Sequence, residues 1–348
     1  MARINLLTIH WGLSYGGTMQ TYATLKTLRA LGHKVTLINL VHPKIRERRI
    51  RLAPDSLLSS VRTLQFHLFR FFYFGKQTKR MYSLDTRLIP KADYTIVGSD
   101  QVWNSDITTV IKDAYFLGFA KNTKRISYAS SFGKYDWEED EHYTKQVKDE
   151  LSNFIAVSVR ESSGSTICKN VFGVDAIQLL DPTLYWRDYS ELVKSRKPIK
   201  EIFAFLLVNE SEENRKICEY VAKMIGCPVF RPKILQRIFG KSPKSWLGRM
   251  HNSEYIITDS FHGLAFSLIF HKQFLILCAD QNKFARLQSL LTLLGLEDRY
   301  IASYDDLIRR KAIVTKRINY ETVDSILNKE REKTRTFLNH LNESIDKL

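Results

Sequence analysis

Tyr255-Ile256-Ile257-Thr258-Asp259-Ser260-Phe261-His262-Gly263-Leu264-Ala265-Phe266 is the stretch on which the fold turns. Its aromatic and β-branched lead-in predicts a buried strand. Thr258 to Ser260 is a polar break, after which Leu264, Leu268 and Ile269 recur at helical spacing. His262-Gly263 therefore sits where a strand hands over to a helix. In open α/β sheets the crevice outside the carboxyl ends of the strands is where ligands bind. The first N–H groups of the helix are unpaired there, and its dipole favours an anion. An imidazole and a glycine at such a place suit a small anionic substrate. A histidine that only caps the helix, beside a glycine that only relieves crowding, fits the same residues.

The alternation seen at this junction recurs along the chain. Ile4 to Ile9 reads as a strand, Met19 to Leu31 as a helix with Gly32 at its end, and Val35 to Leu40 as a second strand. Between the first two lies a loop with Gly12, Ser14, Gly16 and Gly17. It lacks the Gly-x-Gly-x-x-Gly spacing of a dinucleotide site, so its glycines serve either packing or ligand contact. Tyr94 to Val97 is a strand ending in Gly98-Ser99-Asp100-Gln101, which places polar groups at a sheet edge. Trp103 and Asn104 follow; they either present an aromatic face and an amide to a sugar ring or lock a structural turn. Further strands are expected at Arg125–Ser130, Ala156–Val159 and Ile177–Leu180, the last broken by Asp181-Pro182. The polar run from Arg187 to Lys200 marks a linker. After it Ile202–Val208, Val229–Arg231, Glu254–Thr258 and Phe274–Cys278 read as strands separated by helices. This pattern predicts an α/β protein with two parallel sheets. The expected division is 1–186, with a basic insertion at 44–80, linker 187–200, a second domain 201–317 and a C-terminal helix 318–348.

Composition places the chain among ordinary globular proteins, and 348 residues suit two domains. Cys168, Cys218, Cys227 and Cys278 are scattered without a Cys-x-x-Cys pair, which predicts free thiols and argues against a zinc site. Met1 to His10 lacks the features of a signal peptide, and no apolar run is long enough to span a bilayer, so a cytoplasmic protein is expected. The formal charge of +16 calls for anionic partners, although no nucleic-acid-binding signature is visible. Half of that excess falls between Lys44 and Arg80, where ten Lys and Arg face two acidic residues. Phe66, Phe69, Phe71, Phe72 and Phe74 are interleaved with them. Basic residues beside Phe and Leu suit peripheral contact with an anionic membrane; a helical insertion packed on the first domain is the other reading.

Four blocks carry a family resemblance. Thr258-Asp259-Ser260-Phe261-His262-Gly263, with Phe266-Ser267-Leu268-Ile269 and Phe274 behind it, resembles the C-terminal signature of the polysaccharide pyruvyl transferase family. Ile96-Val97-Gly98-Ser99-Asp100-Gln101-Val102-Trp103-Asn104 resembles its N-terminal signature. Ser158-Val159-Arg160-Glu161 and Asp181-Pro182-Thr183 resemble two further blocks in the expected order, and Gly16, Gln20 and the helix after them match as well. The resemblance covers about Gly16 to Arg299. It implies two Rossmann-like domains facing across a cleft, as in GT-B glycosyltransferases, with the last helix crossing back onto the first domain. It implies transfer of pyruvate from phosphoenolpyruvate, as co-substrate and without a metal or other cofactor, to hydroxyls of a glycan or lipid-linked saccharide as a ketal.

Phosphoenolpyruvate carries about −2.5 to −3 charges near neutral pH, so cations are needed around it. The resemblance makes Arg160 one of them, a guanidinium able to grip carboxylate or phosphate. It makes His262 the substrate histidine, either holding phosphate or protonating the enol carbon. Ser260 and Phe261 stand where one family variant has Arg-Leu, so another cation is expected; Lys283 is the candidate and Arg286 its competitor. Asp100 and Asp259 are the candidate general bases. Ser260, Phe261, Gly263, Gly16, Gly17, Gln20, Ser99, Gln101, Trp103 and Asn104 are expected to line the substrates. The rival readings are a GT-B-type glycosyltransferase that uses a sugar nucleotide, for which Asp305-Asp306 is the nearest acidic pair, and a glycan-binding relative without activity.

Overall fold

The computed structural model describes residues 1–45, 54–193, 199–207, 211–231, 240–277 and 281–343. The chain divides into two compact units: residues 1–186 together with 329–348, and residues 187–328.

In the first unit β1 (Arg3–Leu7), α1 (Tyr15–Ala30), β2 (Lys34–Leu37), α2 (Pro54–Tyr73), β3 (Tyr94–Val97), the short α3 (Ser105–Thr108), β4 (Lys124–Ser127), α4 (Glu141–Leu151) and β5 (Phe154–Ala156) follow one another. The sheet is parallel in the order β2-β1-β3-β4-β5. Its central strands are buried on both faces, which explains why β1 and β3 read as near-continuous apolar runs rather than alternating ones. The expected strand Ala156–Val159 is interrupted: β5 stops at Ala156 and β6 (Ser158–Val159) begins a separate pairing. After α5 (Ser162–Ile167), β7 (Ile177–Gln178) pairs in parallel with β6, and a bridge between Ser130 and Val159 joins this pair to the main sheet. α6 (Pro182–Tyr185) is capped by Asp181.

Chain order decides where this unit opens. The chain leaves β1, crosses to β2 on one side, then returns to β3 on the other side. The strand order therefore reverses between β1 and β3, the position where doubly wound sheets leave a crevice. Leu7 and Val97 are partners in register, so both strands end at the same level.

α2 packs inward with Phe66 and Phe69, which are almost fully buried, and its rings meet Tyr15 and Tyr22 of α1 at 5.2 and 6.2 Å between centroids. Its other face leaves Leu64, Leu68, Phe71 and Phe72 in solvent. The helical insertion expected in the basic stretch is thus present, while residues 46–53, which carry four of its arginines, lie outside the described residues.

The second unit holds β8 (Ile199–Phe205), α7 (Glu212–Ile225), α8 (Pro243–Asn252), β9 (Ser253–Thr258), α9 (Phe261–Ile269), β10 (Gln273–Leu277), α10 (Gln281–Leu294), β11 (Tyr300–Ile301) and α11 (Tyr304–Arg309). The sheet is parallel in the order β11-β10-β9-β8. Val229, expected within a strand, makes a single parallel bridge to Ile202 on the far side of β8. The chain therefore leaves β8 for one side and comes back to β9 on the other. This is the same reversal as in the first unit, without a visible sequence repeat. β11, which the sequence reading missed, is two residues long and too short to show a period.

The last helix, α12 (Tyr320–Glu343), starts in the second unit, and its residues from Lys329 onward belong to the first. Within the first unit Arg331 Nε donates to the Leu184 carbonyl at 2.9 Å, and Thr334 and Leu338 are fully buried. Among the described residues no helix is long and apolar enough to cross a membrane. Cys168, Cys218 and Cys227 are free and buried, and Cys278 lies outside the described residues.

Candidate functional site

The motif Thr258–Gly263 occupies the reversal point of the second sheet. Phe205 and Thr258 are partners in register at the carboxyl ends of β8 and β9. The Thr258 hydroxyl donates to the Phe205 carbonyl at 2.6 Å and accepts from the Ser260 N–H at 3.1 Å. That clasp turns the chain straight from strand into α9. Asp259 points back to β8, where Oδ1 accepts the Leu207 N–H at 2.7 Å. One oxygen of this candidate base is thus occupied in holding the loop after β8.

Gly263 is demanded by this turn. A Cβ there would lie 2.2 Å from Thr258 Oγ1, which no real side chain tolerates. The glycine lets the first turn of α9 press against the end of β9. His262 is 5 % exposed, beside Phe261, whose ring meets the imidazole nearly edge-on at 5.3 Å between centroids. Ser260, at the cap position, makes no side-chain hydrogen bond to the helix. α1, α4, α7 and α8 are all capped by a side chain, from Ser14, Asp140, Ser211 and Ser242. At the head of α9 the cap residue makes no such bond, and His262 stands in the first turn. The leading N–H groups of a helix, its positive dipole end and an imidazole form an environment for an anion. α10 packs beside α9 and carries Arg286, half-buried. The Lys283 side chain lies outside the described residues.

In the first unit the N-terminal signature likewise lies at the reversal point, after β3. Asp100 has φ of 76°, a left-handed conformation that costs a non-glycine residue about 1 kcal/mol or more and concentrates at functional sites. Its Oδ1 accepts the Gln101 N–H at 2.9 Å, while Oδ2 approaches Gly17 so closely that a Cβ on the glycine would lie 3.2 Å away. The carboxylate is therefore held at the N-terminal end of α1, where the helix dipole favours negative charge. The anion at the glycine loop belongs to the protein. Gly17 serves this close approach, and Gly16 beside it is half-buried.

Several expected substrate contacts are internal instead. Gln20 is fully buried; its Nε2 donates to Thr8 Oγ1, Ile9 O and Gly17 O at 2.9, 3.1 and 3.1 Å, and so fastens the loop after β1. Trp103 is 2 % exposed, stacks on Phe116 at 5.7 Å and donates its indole N–H to Tyr115 O at 3.0 Å. It is the aromatic anchor of a turn and presents no face to a sugar. Asn104 caps α3 through Oδ1, accepting from Asp106 N, and donates from Nδ2 to Gln101 Oε1 at 3.1 Å. Gln101 itself is half-buried.

Arg160 lies at the carboxyl end of β6, as expected, but it is 5 % exposed and its Nη1 donates to Asp181 Oδ2 at 2.8 Å. Asp181 also accepts from Ser99 Oγ at 2.8 Å and from Thr183 N and Oγ1 at 2.9 and 2.6 Å. Glu161 is buried nearby and accepts from Ser131 Oγ, Phe132 N and Gly133 N at 2.8, 2.9 and 3.1 Å. Although burial opposes the charge, the carboxylates of Asp181, Glu161 and Asp100 raise the guanidinium pKa above its ordinary value. The Arg160 charge is thus answered inside the fold, and Ser99 joins the same network. The sequence showed Arg160 and Asp181 as separate blocks; that they pair depends on β6 and β7 lying side by side.

The acidic pair Asp305-Asp306 heads α11. Asp306 accepts from the Ala302 N–H at 3.2 Å and from Arg310 Nε at 2.9 Å, so one of its two acids belongs to a local ion pair. Among the described residues no cluster of three or more His, Cys, Asp or Glu side chains is placed to hold a metal ion.

The sequence pattern of the polysaccharide pyruvyl transferase family matches residues 15–277, which include both signature turns. No curated protein matches the sequence. Among solved structures, the chain resembles MnaA of S. aureus in complex with UDP, with a TM-score of 0.54 and 10 % identity over 100 % of this chain and 98 % of that one. A putative UDP-N-acetylglucosamine 2-epimerase from Listeria monocytogenes matches with a TM-score of 0.51 and 10 % identity over 99 % and 97 % of the two chains. At such identity these likenesses speak for the fold alone: two Rossmann-like units of the GT-B-like class. The matched pattern covers most of the chain and both reversal-point turns, and the chain belongs to the polysaccharide pyruvyl transferase family.

Proposed function

We propose that the protein transfers pyruvate from phosphoenolpyruvate to hydroxyls of a glycan or lipid-linked saccharide, forming a ketal. One observation supports the reading above the others: the family's His-Gly turn opens α9 at the reversal point of the second sheet, with His262 in its first turn and a cap residue, Ser260, whose side chain makes no hydrogen bond to the helix. Phosphate and carboxylate are the chemistry such an end accepts. The other cations would come from α10, through Arg286 and Lys283, because Arg160 is engaged by Asp181.

The reaction adds a sugar hydroxyl to C2 of the enol while C3 gains a proton. The C2–O bond to phosphate then breaks, inorganic phosphate leaves with the bonding pair, and a second hydroxyl closes the ketal. Each hydroxyl loses its proton. His262 is assigned to the proton delivered to C3, since imidazole is the side chain most often used as a general acid. Asp100 is assigned to accept a hydroxyl proton; it is held in a strained conformation that its immediate neighbours fix. Asp259 is the weaker candidate, since one of its oxygens holds Leu207. The exposed Leu64, Leu68, Phe71 and Phe72, in a segment rich in cations, support peripheral contact with an anionic membrane, where a lipid-linked acceptor resides.

Incubation with phosphoenolpyruvate and a panel of acceptors, followed by mass analysis for added pyruvate and by phosphate release, tests the reading. Asp100→Asn tolerates the left-handed backbone and keeps an oxygen for Gln101 N–H, so the fold should stand while ketal formation falls. A sugar-nucleotide transferase would instead consume a nucleotide sugar and ignore phosphoenolpyruvate.

A further inference from the structure

α2 has three distinct flanks. Phe66 and Phe69 face the core, Leu64, Leu68, Phe71 and Phe72 face solvent, and Thr63, His67 and Arg70 lie between. The intermediate flank walls a pocket of about 650 Å³ within the first unit. Its floor comes from the segments that leave β1 and β2, with His10, Trp11 and Asn39, and Arg80 closes it from beyond the helix.

The charge in this pocket is one-sided. Two guanidinium groups and two imidazoles line it, and among the described residues no carboxylate does. Arg70 Nη2 donates to the Gly12 carbonyl, and burial, then the charge of Arg80, lowers its pKa to about 10. Burial and the same two arginines lower His67. Burial pushes His10 down to about 4, so it is neutral, with Nδ1 donating to Thr8 O at 3.0 Å. Arg80 makes no ion pair among the described residues. Like charges crowded in a half-enclosed space raise one another's energy, and an anion with several acceptor oxygens relieves that cost. Phe71 belongs both to the pocket lining and to the exposed apolar face, being 77 % exposed, so the pocket opens beside that face.

We propose that this pocket binds the phosphate or diphosphate of an amphiphile, whose hydrocarbon lies along Leu64, Leu68, Phe71 and Phe72. The pairing is chemical: oxyanions meet Arg70, Arg80 and His67, and the apolar chain covers the helix face next to them. This deepens the reading of a lipid-linked acceptor and rests on it only for the presence of the chain.

Calorimetric titration of the full chain tests the proposal with two probes, inorganic pyrophosphate and farnesyl diphosphate below its micelle concentration. Both should bind, the farnesyl ester more tightly. Arg80→Gln, which disturbs no hydrogen bond or ion pair among the described residues, should weaken both about ten- to a hundredfold, the loss of one charge-assisted contact. Lys91→Gln removes an exposed cation elsewhere in the unit and should change neither. Phe71→Ser with Phe72→Ser should weaken only the farnesyl ester. Failure of pyrophosphate to bind, or equal effects of Arg80→Gln and Lys91→Gln, would overturn the pocket. Farnesyl diphosphate binding no more tightly than pyrophosphate would overturn the amphiphile. Phosphoenolpyruvate affinity, measured on the same variants, should stay within twofold of wild type; its loss in wild type would reject the pyruvyl reading and leave this one standing.

Discussion

Replacing Gly263 by alanine puts a single methyl where the strand-to-helix turn has no room. The new carbon would lie 2.2 Å from Thr258 Oγ1, 2.8 Å from its Cγ2 and 2.9 Å from its Cβ. Because three atoms of one short, β-branched side chain are involved, rotation of Thr258 alone cannot clear the space. Either the first turn of α9 moves away or Thr258 yields its bonds to Phe205 O and Ser260 N. Overpacking commonly costs about 1–3 kcal/mol, and each lost hydrogen bond about 0.5–1.5 kcal/mol. Alanine returns about 1 kcal/mol through its better helix propensity. The expected net loss is about 2–4 kcal/mol in the second unit, taking these terms together. Thr258→Ala alone should cost about 1–3 kcal/mol, for the two bonds. In that background the 2.2 and 2.8 Å contacts are gone and only the one to Cβ at 2.9 Å remains, so Gly263→Ala should cost clearly less than it does alone, a coupling of about 1 kcal/mol between the two sites. Urea unfolding followed by hydrogen exchange of peptides from β9 and α9 reads the second unit by itself. Simple addition of the two single costs, or a Gly263→Ala cost below about 0.5 kcal/mol, would refute the account of the turn.

Removing Arg160 leaves Asp181 and Glu161 buried without their cation, so Arg160→Met should lose about 3–5 kcal/mol of stability in the first unit, seen as a lower urea midpoint. Trp103→Ala should cost about 3–5 kcal/mol as a core truncation, and a sugar-binding role would instead leave stability intact. His10 is lowered in the fold to about 4 from its ordinary 6.5, so the unfolded chain binds more protons between those values. Its contribution is intact above pH 6.5 and is lost as pH falls toward 4. By linkage His10 should account for about 2 kcal/mol of the stability that the first unit loses between pH 7.5 and 5, and His10→Asn should remove that share while leaving the smaller share of His33, His42 and His67, which burial also lowers. His262→Asn should cut turnover about 10²–10⁴-fold if the imidazole delivers the proton to C3; a loss of phosphoenolpyruvate affinity with bound-state turnover preserved would make it a phosphate ligand.

The sequence alone carried the α/β class, the alternation in both halves and the position of the His-Gly turn. Those features are local: β-branched runs, helical spacing and glycine at a junction depend on neighbours a few residues away. Helix bounds such as Glu212–Ile225 were legible for the same reason, since Ser211 caps one end and Gly226, with positive φ, closes the other. The tertiary structure decided which polar residues can meet a ligand. Trp103, Gln20, Ser99 and Arg160 have the chemistry of binding groups, yet each is turned inward by a partner distant in sequence, Asp181 being 21 residues from Arg160 and 82 from Ser99. Asp100 shows the opposite case: no pattern announces a left-handed backbone, which appears only when β3 ends beside the N-terminus of α1. Arg70 and Arg80 read as part of a basic run until packing of α2 brought them to His10, at the ends of strands that precede them in sequence. Burial and long-range pairing depend on which strands become neighbours, and that order is a property of the folded chain.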